Sequence, residues 1–210
     1  MPLARSEPRV EKHRAAALPP EQRRAAIAAA TLPLLVHQGP NVTTRQIAEA
    51  SGIAEGTIFR VFRDKDAVIE AALELAFDTE PTERAIAEID RSLPFERQLA
   101  IAVEIMQRRH ADIWRLVSSL GGPAALGAKG PTPPADLLAL AALFKPERAR
   151  LRTDPATAAK QLRALTLAVS HPALYADEPM SPREVVSLLL DGIRRRPALA
   201  ATRPKAAKPC

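Results

Sequence analysis

Apolar residues recur along this chain at intervals of three and four, the spacing of helices that bury one face. The first such stretch is 20–38, with Ile27, Ala30, Leu34 and Leu35 on one stripe. Pro20 suits the first helical position, Glu21 suits the positive helix start, and Gly39-Pro40 is the stop. Pro33 removes an amide hydrogen bond and predicts a bend. Residues 65–79 follow, with Val68, Ala72, Leu75 and Ala76 expected to face inward, then a short helix over 82–92 ending before Pro94. Residues 94–120 carry Leu99, Ala102, Val103 and Met106 on one side. A break near His110 would place Trp114 and Val117 on a second helix. Gly121-Gly122-Pro123 ends it and opens a Gly/Pro-rich loop to 134, read as mobile and near a pocket mouth. A helix over 135–150 presents Leu137, Leu138, Leu140, Ala141 and Phe144, with Pro146 bending or ending it. The last two helices, 155–171 and 182–195, carry Leu162, Leu165, Thr166 and Val169, and Val185, Val186, Leu189, Leu190 and Ile193.

The stretch from 43 to 65, TTRQIAEASGIAEGTIFRVFRDK, departs from this pattern of long helices. It reads as two short helices and a tight turn. Thr44 can cap the first helix through its hydroxyl, and Ile47 and Ala48 give it a small apolar face. Gly52 tolerates the left-handed backbone just past a helix end, and Ile53 plugs the turn. The second helix runs from about Ala54 to Phe62. Ile58 and Phe62, four apart, share its inward face. Gly56, Thr57, Arg60 and Arg63 lie opposite, with Phe59 at the edge. A short helix, a Gly turn and a second short helix form a helix-turn-helix, whose second helix fits the DNA major groove. On that reading Arg45, Thr57 and Arg60 are candidates to read bases, Thr44 and Lys65 to bond phosphates, and Phe59 to pack on the backbone. Gly56 clears space for close approach.

Composition sharpens the class. Hydrophobic residues make up 47% of the 210 positions and aromatics only 3%, so the core must be mostly Leu, Ala, Ile and Val. Few glycines and no long β-branched runs favour helices. Charge is partitioned. Residues 1–65 hold 10 Lys/Arg against 6 Asp/Glu, residues 66–193 hold 14 against 18, and residues 194–210 hold 6 against none. Basic ends around an acidic middle fit a nucleic-acid-binding head on a body that does not bind nucleic acid. No apolar run approaches the roughly 20 residues needed to span a bilayer. The basic N-terminus has no apolar segment behind it, and Cys210 alone can form no internal disulfide. A cytoplasmic protein is expected.

Thr44, Ile47-Ala48, Gly52-Ile53, Gly56-Thr57-Ile58-Phe59, Phe62 and Lys65 together resemble the DNA-binding signature of TetR-type transcriptional regulators. The resemblance extends upstream through Arg24-Ala25-Ala26-Ile27 and downstream through Ala67-Val68, about the first third of the chain. Members commonly carry Tyr at the place of Phe59, whose hydroxyl bonds phosphate, and His at the place of Val61. Here that phosphate bond is lost, and an operator sequence cannot be carried over from relatives. The resemblance implies a homodimer on a near-palindromic double-stranded operator, with recognition helices roughly 34–36 Å or a multiple apart. It further implies a repressor released by a small molecule. It assigns the last two helices to the dimer interface, through Leu162, Leu165, Val169, Val186, Leu189, Leu190 and Ile193.

The expected architecture is all-α, about nine to ten helices. A disordered basic arm (1–19) precedes a three-helix helix-turn-helix head (20–65). A helical ligand-binding and dimerisation body (66–196) and a disordered basic tail (197–210) follow. An enzyme is not expected. His13, His37, His110 and His171 are scattered, no metal or cofactor site is anticipated, and no phosphate loop, dinucleotide fingerprint or nucleophile elbow occurs. A mostly apolar pocket in the body is the candidate effector site. Its candidate lining is Met106, His110, Trp114, Val117, Leu140, Phe144 and His171. Beside a DNA-binding regulator stands one other reading, a helical protein-interaction module whose head no longer reads DNA, for which the residues at 59 and 61 leave room.

Overall fold

A computed structural model describes residues 19–126, 137–172, 174 and 180–194 of the chain. The basic arm, most of the Gly/Pro-rich loop, the basic tail and Cys210 lie outside the described residues, Pro19 and 121–126 excepted. Among the described residues the architecture is all-α, with one isolated backbone bridge between Leu151 and Arg194. The helices are α1 (Pro20–Gln38), α2 (Thr44–Ala50), α3 (Glu55–Val61), α4 (Lys65–Phe77), α5 (Glu80–Ala87), α6 (Phe95–Ser119), α7 (Pro123–Leu126), α8 (Leu138–Phe144), α9 (Pro155–Val169) and α10 (Pro182–Ile193). Contacts divide them into two units. One comprises residues up to Leu34 with Asn41–Leu75, and the other Leu35–Pro40 with the residues from Ala76 onward.

The first unit is small and closes on aliphatic residues. Ile27 and Ala28 of α1, Ile47 and Ala48 of α2, Ile58 of α3, and Val68, Ala71 and Ala72 of α4 are buried, with Val42 and Phe62 from the connections. The buried stripe of α1 thus includes Ala28 and Thr31, whereas Ala30 and Leu34 are only half-buried. Thr31 is tolerated inside because its hydroxyl donates to the Ile27 carbonyl at 2.8 Å, so no polar atom is stranded. On α4, Val68 and Ala72 face inward as expected, but Leu75 is exposed.

The second unit is layered around α6. This helix runs unbroken for 25 residues, so the break expected near His110 is absent. The polar run from Gln107 to Asp112 resembles a loop in sequence, yet it contains no Gly or Pro and every residue in it is compatible with a helix. Helices α9 and α10 pack on α6 and on each other, and α5 and α8 close the remaining sides. Leu99, Ala102, Val103 and Met106 meet Leu140, Phe144, Leu162, Val185 and Leu190 in one cluster. Phe95 and Phe144 meet edge-to-face, centroids 5.6 Å apart. Two expected helices are shorter than the pattern suggests. The helix expected over 82–92 is α5, ending at Ala87, because Asp90 turns the chain by accepting from the amide and hydroxyl of Ser92. The described part of the helix expected over 135–150 is α8, after which Lys145–Arg150 tightens to a 3-10 helix around Pro146.

Strong caps fix the last two helices. Asp154 accepts from the amides of Ala156 and Thr157, both at 3.0 Å, at the start of α9. Ser181 and Glu184 form a reciprocal capping box on α10. Gly39, at φ +58°, holds the chain against α6: a Cβ there would lie 2.3 Å from the Ser119 carbonyl oxygen. The Ser119 hydroxyl donates to the Leu35 carbonyl at 2.8 Å in the same place.

Candidate nucleic-acid interface and ligand cavity

The helix-turn-helix is built from local signals. Thr43, one residue before the expected Thr44, caps α2. Its hydroxyl accepts from the Gln46 amide at 3.3 Å, and Gln46 Oε1 accepts from the Thr43 amide at 2.9 Å. The threonine pair in the sequence leaves the cap ambiguous. The Gln three residues after Thr43 was the signal that resolves it. Gly52 takes φ +66°, and the Ile53 amide reaches back to the Ala48 carbonyl at 3.0 Å, closing α2 as a glycine-terminated helix. Phe62 ends α3, buried, with the Arg24 guanidinium 4.5 Å above its ring.

With Ile58 and Phe62 held inside, α3 can present only its other face. Gly56 and Arg60 are exposed, Thr57 and Lys65 are half-buried, and Phe59 is 53% exposed. Phe59 thus turns about half of a large apolar ring to solvent on the same face as Arg60. Gly56 is required neither by its own backbone nor by close packing. Its backbone is not left-handed, and an added Cβ would meet nothing within 4 Å. Arg45 is exposed on α2, and Arg63 pairs with Asp64 at 3.0 Å. Sequence reasoning missed Glu55. As the first residue of α3, it accepts a short hydrogen bond from the Thr44 hydroxyl and links the two helices. The one proton of the Thr44 hydroxyl is committed to that bond, so Thr44 donates to a phosphate only by giving up Glu55.

In the second unit a cavity of about 280 Å³ opens beside the middle of α6. Met106, His110, Trp114 and Val117 line it, four of the residues expected to do so. Thr79, Thr82, Leu126, Leu137 and Leu167 add to the wall, together with Arg109 and Arg163. Leu140 and Phe144 do not reach it. They are fully buried in the core, because α8 turns them towards α6 and α9. His171 is placed instead against Trp114, ring centroids 4.1 Å apart and nearly perpendicular. The His110 Nδ1 is buried without a hydrogen-bond partner. Burial, then the charges of Arg109 and Arg163, push its pKa down to about 4, so the imidazole is neutral near pH 7. Burial likewise lowers the Arg109 pKa, partly offset by Asp78.

The residues expected at a dimer interface are distributed differently from the expectation. Leu162, Val169, Val186, Leu189, Leu190 and Ile193 are buried within the single chain, and Leu165 is half-buried against that core. An aliphatic stripe has the same period whether it meets its own chain or a second copy. The exposed large apolar residues of α9 and α10 are Leu167 and Leu188, 45% and 54% exposed.

Among the described residues no group of three or more His, Cys, Asp or Glu could hold a metal, and no helix is long and apolar enough to cross a membrane. What the fold and the head define is a helix-turn-helix DNA-binding protein with an all-helical second unit. Residues 27–72 match the family described as bacterial regulatory proteins, tetR family. Over those residues the chain carries a helix-turn-helix region of the TetR type. Solved structures share its fold along nearly their whole length. A protein of Mesorhizobium loti proposed to be a TetR-family regulator is 18% identical, with a TM-score of 0.58 over 85% of this chain and 100% of that one. A TetR-family regulator of Haemophilus influenzae is 14% identical (TM-score 0.53; 83% and 98%). The fatty acid degradation regulator FadR of Bacillus halodurans is 18% identical (TM-score 0.52; 83% and 97%). No curated protein matches the chain.

Proposed function

We propose that the chain is a homodimeric, cytoplasmic repressor that binds a palindromic operator through α3 and is released by a small molecule held in the α6 cavity. The observation that carries the DNA half of this reading is the outward face of α3. It combines a glycine with open space around it and a phenylalanine half exposed to solvent. An external surface that approaches the helix closely explains both. Thr57 and Arg60 then face base edges, with Arg45 reaching from α2, while Phe59 packs on the sugar-phosphate and Lys65 neutralises a phosphate. Thr44 joins them by exchanging Glu55 for a phosphate oxygen. The head (20–65) and the body (66–196) divide the two tasks.

The effector half rests on the cavity. A ligand that binds more tightly to the form with unsuitable head spacing lowers DNA affinity by that differential, with no contact to DNA. Exposed Leu188 supports α10 as part of the dimer face. Selection of bound DNA from a random pool, with the mass of the free protein measured in parallel, tests the proposal. An enriched inverted repeat bound by a dimer is the expected result. A dimer with only sequence-blind, salt-sensitive binding would point to a head that no longer reads DNA. Leu188→Glu should leave the helical content intact and shift the dimer to monomer. A dimer as tight as the wild type would move the interface elsewhere.

A further inference from the structure

The lining of the α6 cavity is not simply apolar, and its charged groups, Arg109 and Arg163, share one sign. Arg109 of α6 and Arg163 of α9 both border it, and both lie near enough to lower the pKa of His110. Among the described lining residues there is no Asp or Glu. Asp78 acts on Arg109 from beside the wall but does not line the cavity. Burial penalises the Arg109 charge, and the neutral His110 leaves its Nδ1 buried with no partner. A stranded polar atom in a native interior calls for an explanation. The rest of the wall, including Met106, Trp114 and Leu137, offers no polar atom of comparable strength.

We infer that the cavity takes an anionic amphipath: a compact hydrocarbon body ending in a carboxylate or similar single anion, seated between Arg109, Arg163 and His110. The hydrocarbon lies along Met106, Trp114 and Leu137. The anion accepts from the two guanidinium groups and from His110, whose Nδ1 carries the hydrogen in the tautomer that donates. Charge-assisted hydrogen bonds of this kind are about twice as strong as neutral ones. A cationic headgroup would instead be set against two like charges, and an alcohol would forgo the charge-assisted bonds. At about 280 Å³ the cavity is near the lower end of the roughly 300–1,000 Å³ of ordinary ligand sites, which favours a short chain over a long one.

The ligand class rests on the cavity being the effector site, and the test separates the two ideas. Octanoate, octanol and octylammonium are titrated by calorimetry into the full chain at fixed ionic strength, and the same three are added to the complex with selected DNA. Octanoate should bind at least about tenfold more tightly than either analogue. Arg109→Gln should abolish that preference and leave octanol binding unchanged. Arg163→Gln, with helical content checked by circular dichroism, serves if the first variant does not fold. Equal or tighter binding of the alcohol or the amine overturns the anionic class, and if that probe also displaces DNA the effector reading survives alone. Octanoate binding that leaves DNA affinity unchanged keeps the class and removes the effector role. Binding of none of the three overturns the inference.

Discussion

Replacing His110 by Leu should flatten the acid side of the chain's stability profile. The imidazole has an ordinary pKa of 6.5 and is held at about 4 in the folded body by burial and by Arg109 and Arg163. Above pH 6.5 it is neutral in both folded and unfolded chains and contributes no pH dependence. As pH falls through 6.5 the unfolded chain takes up a proton that the folded chain refuses. Stability therefore drops steadily until about pH 4, where the folded form is protonated too. The difference of about 2.5 pKa units corresponds to a loss of about 3 kcal/mol across that window. His110→Leu removes the titrating group and the unpartnered Nδ1, so it should equal or exceed the wild type at pH 7.5. Urea unfolding followed by fluorescence reads this directly, because Trp114 is the only tryptophan and lines the same cavity. Plotted against pH, the difference between wild type and variant should be flat above pH 7 and open by about 3 kcal/mol towards pH 4. Carboxylates titrate equally in both proteins and cancel. Parallel curves down to pH 4 would refute the argument and place His110 in a wetter site than the one described.

Three further outcomes follow from the geometry. Gly39→Ala should cost more than about 2 kcal/mol in urea unfolding, since left-handed backbone alone costs roughly 1 and the new Cβ would collide with the Ser119 carbonyl oxygen. Thr43→Ala should lower stability by about 1 kcal/mol in a thermal melt by removing the cap, whereas Thr44→Ala should leave the cap intact and lose only the exposed bond to Glu55, an effect that Glu55→Gln should largely reproduce. Arg60→Ala should relax sequence preference in selected DNA, while Lys65→Ala should weaken binding to all DNA and reduce the salt slope by about one. An unchanged slope would remove the phosphate role from Lys65.

The sequence by itself determined the elements whose signals are local. Gly52, followed by the apolar Ile53, marks the end of α2 because it tolerates the left-handed backbone there. Ile58 inside α3 and Phe62 at its C-cap, both buried, fix which face of the helix turns inward and which is left outside. The inward and outward faces of α3 could be read from about twenty residues because those cues act within about one helical turn, whereas the Thr44–Glu55 link between α2 and α3, eleven positions apart, could not. Only the tertiary structure decided matters that depend on distant partners. The polar middle of α6 stays helical because nothing in it breaks a helix and its neighbours pack along both halves. The leucine stripes of α9 and α10 face their own chain, a choice that periodicity cannot make. Arg109 and Arg163, 54 positions apart, each read as an ordinary solvated charge in sequence. Folding brings both to the wall of one cavity beside a neutral histidine, because α6 and α9 pack against each other, and that adjacency exists nowhere in the linear pattern.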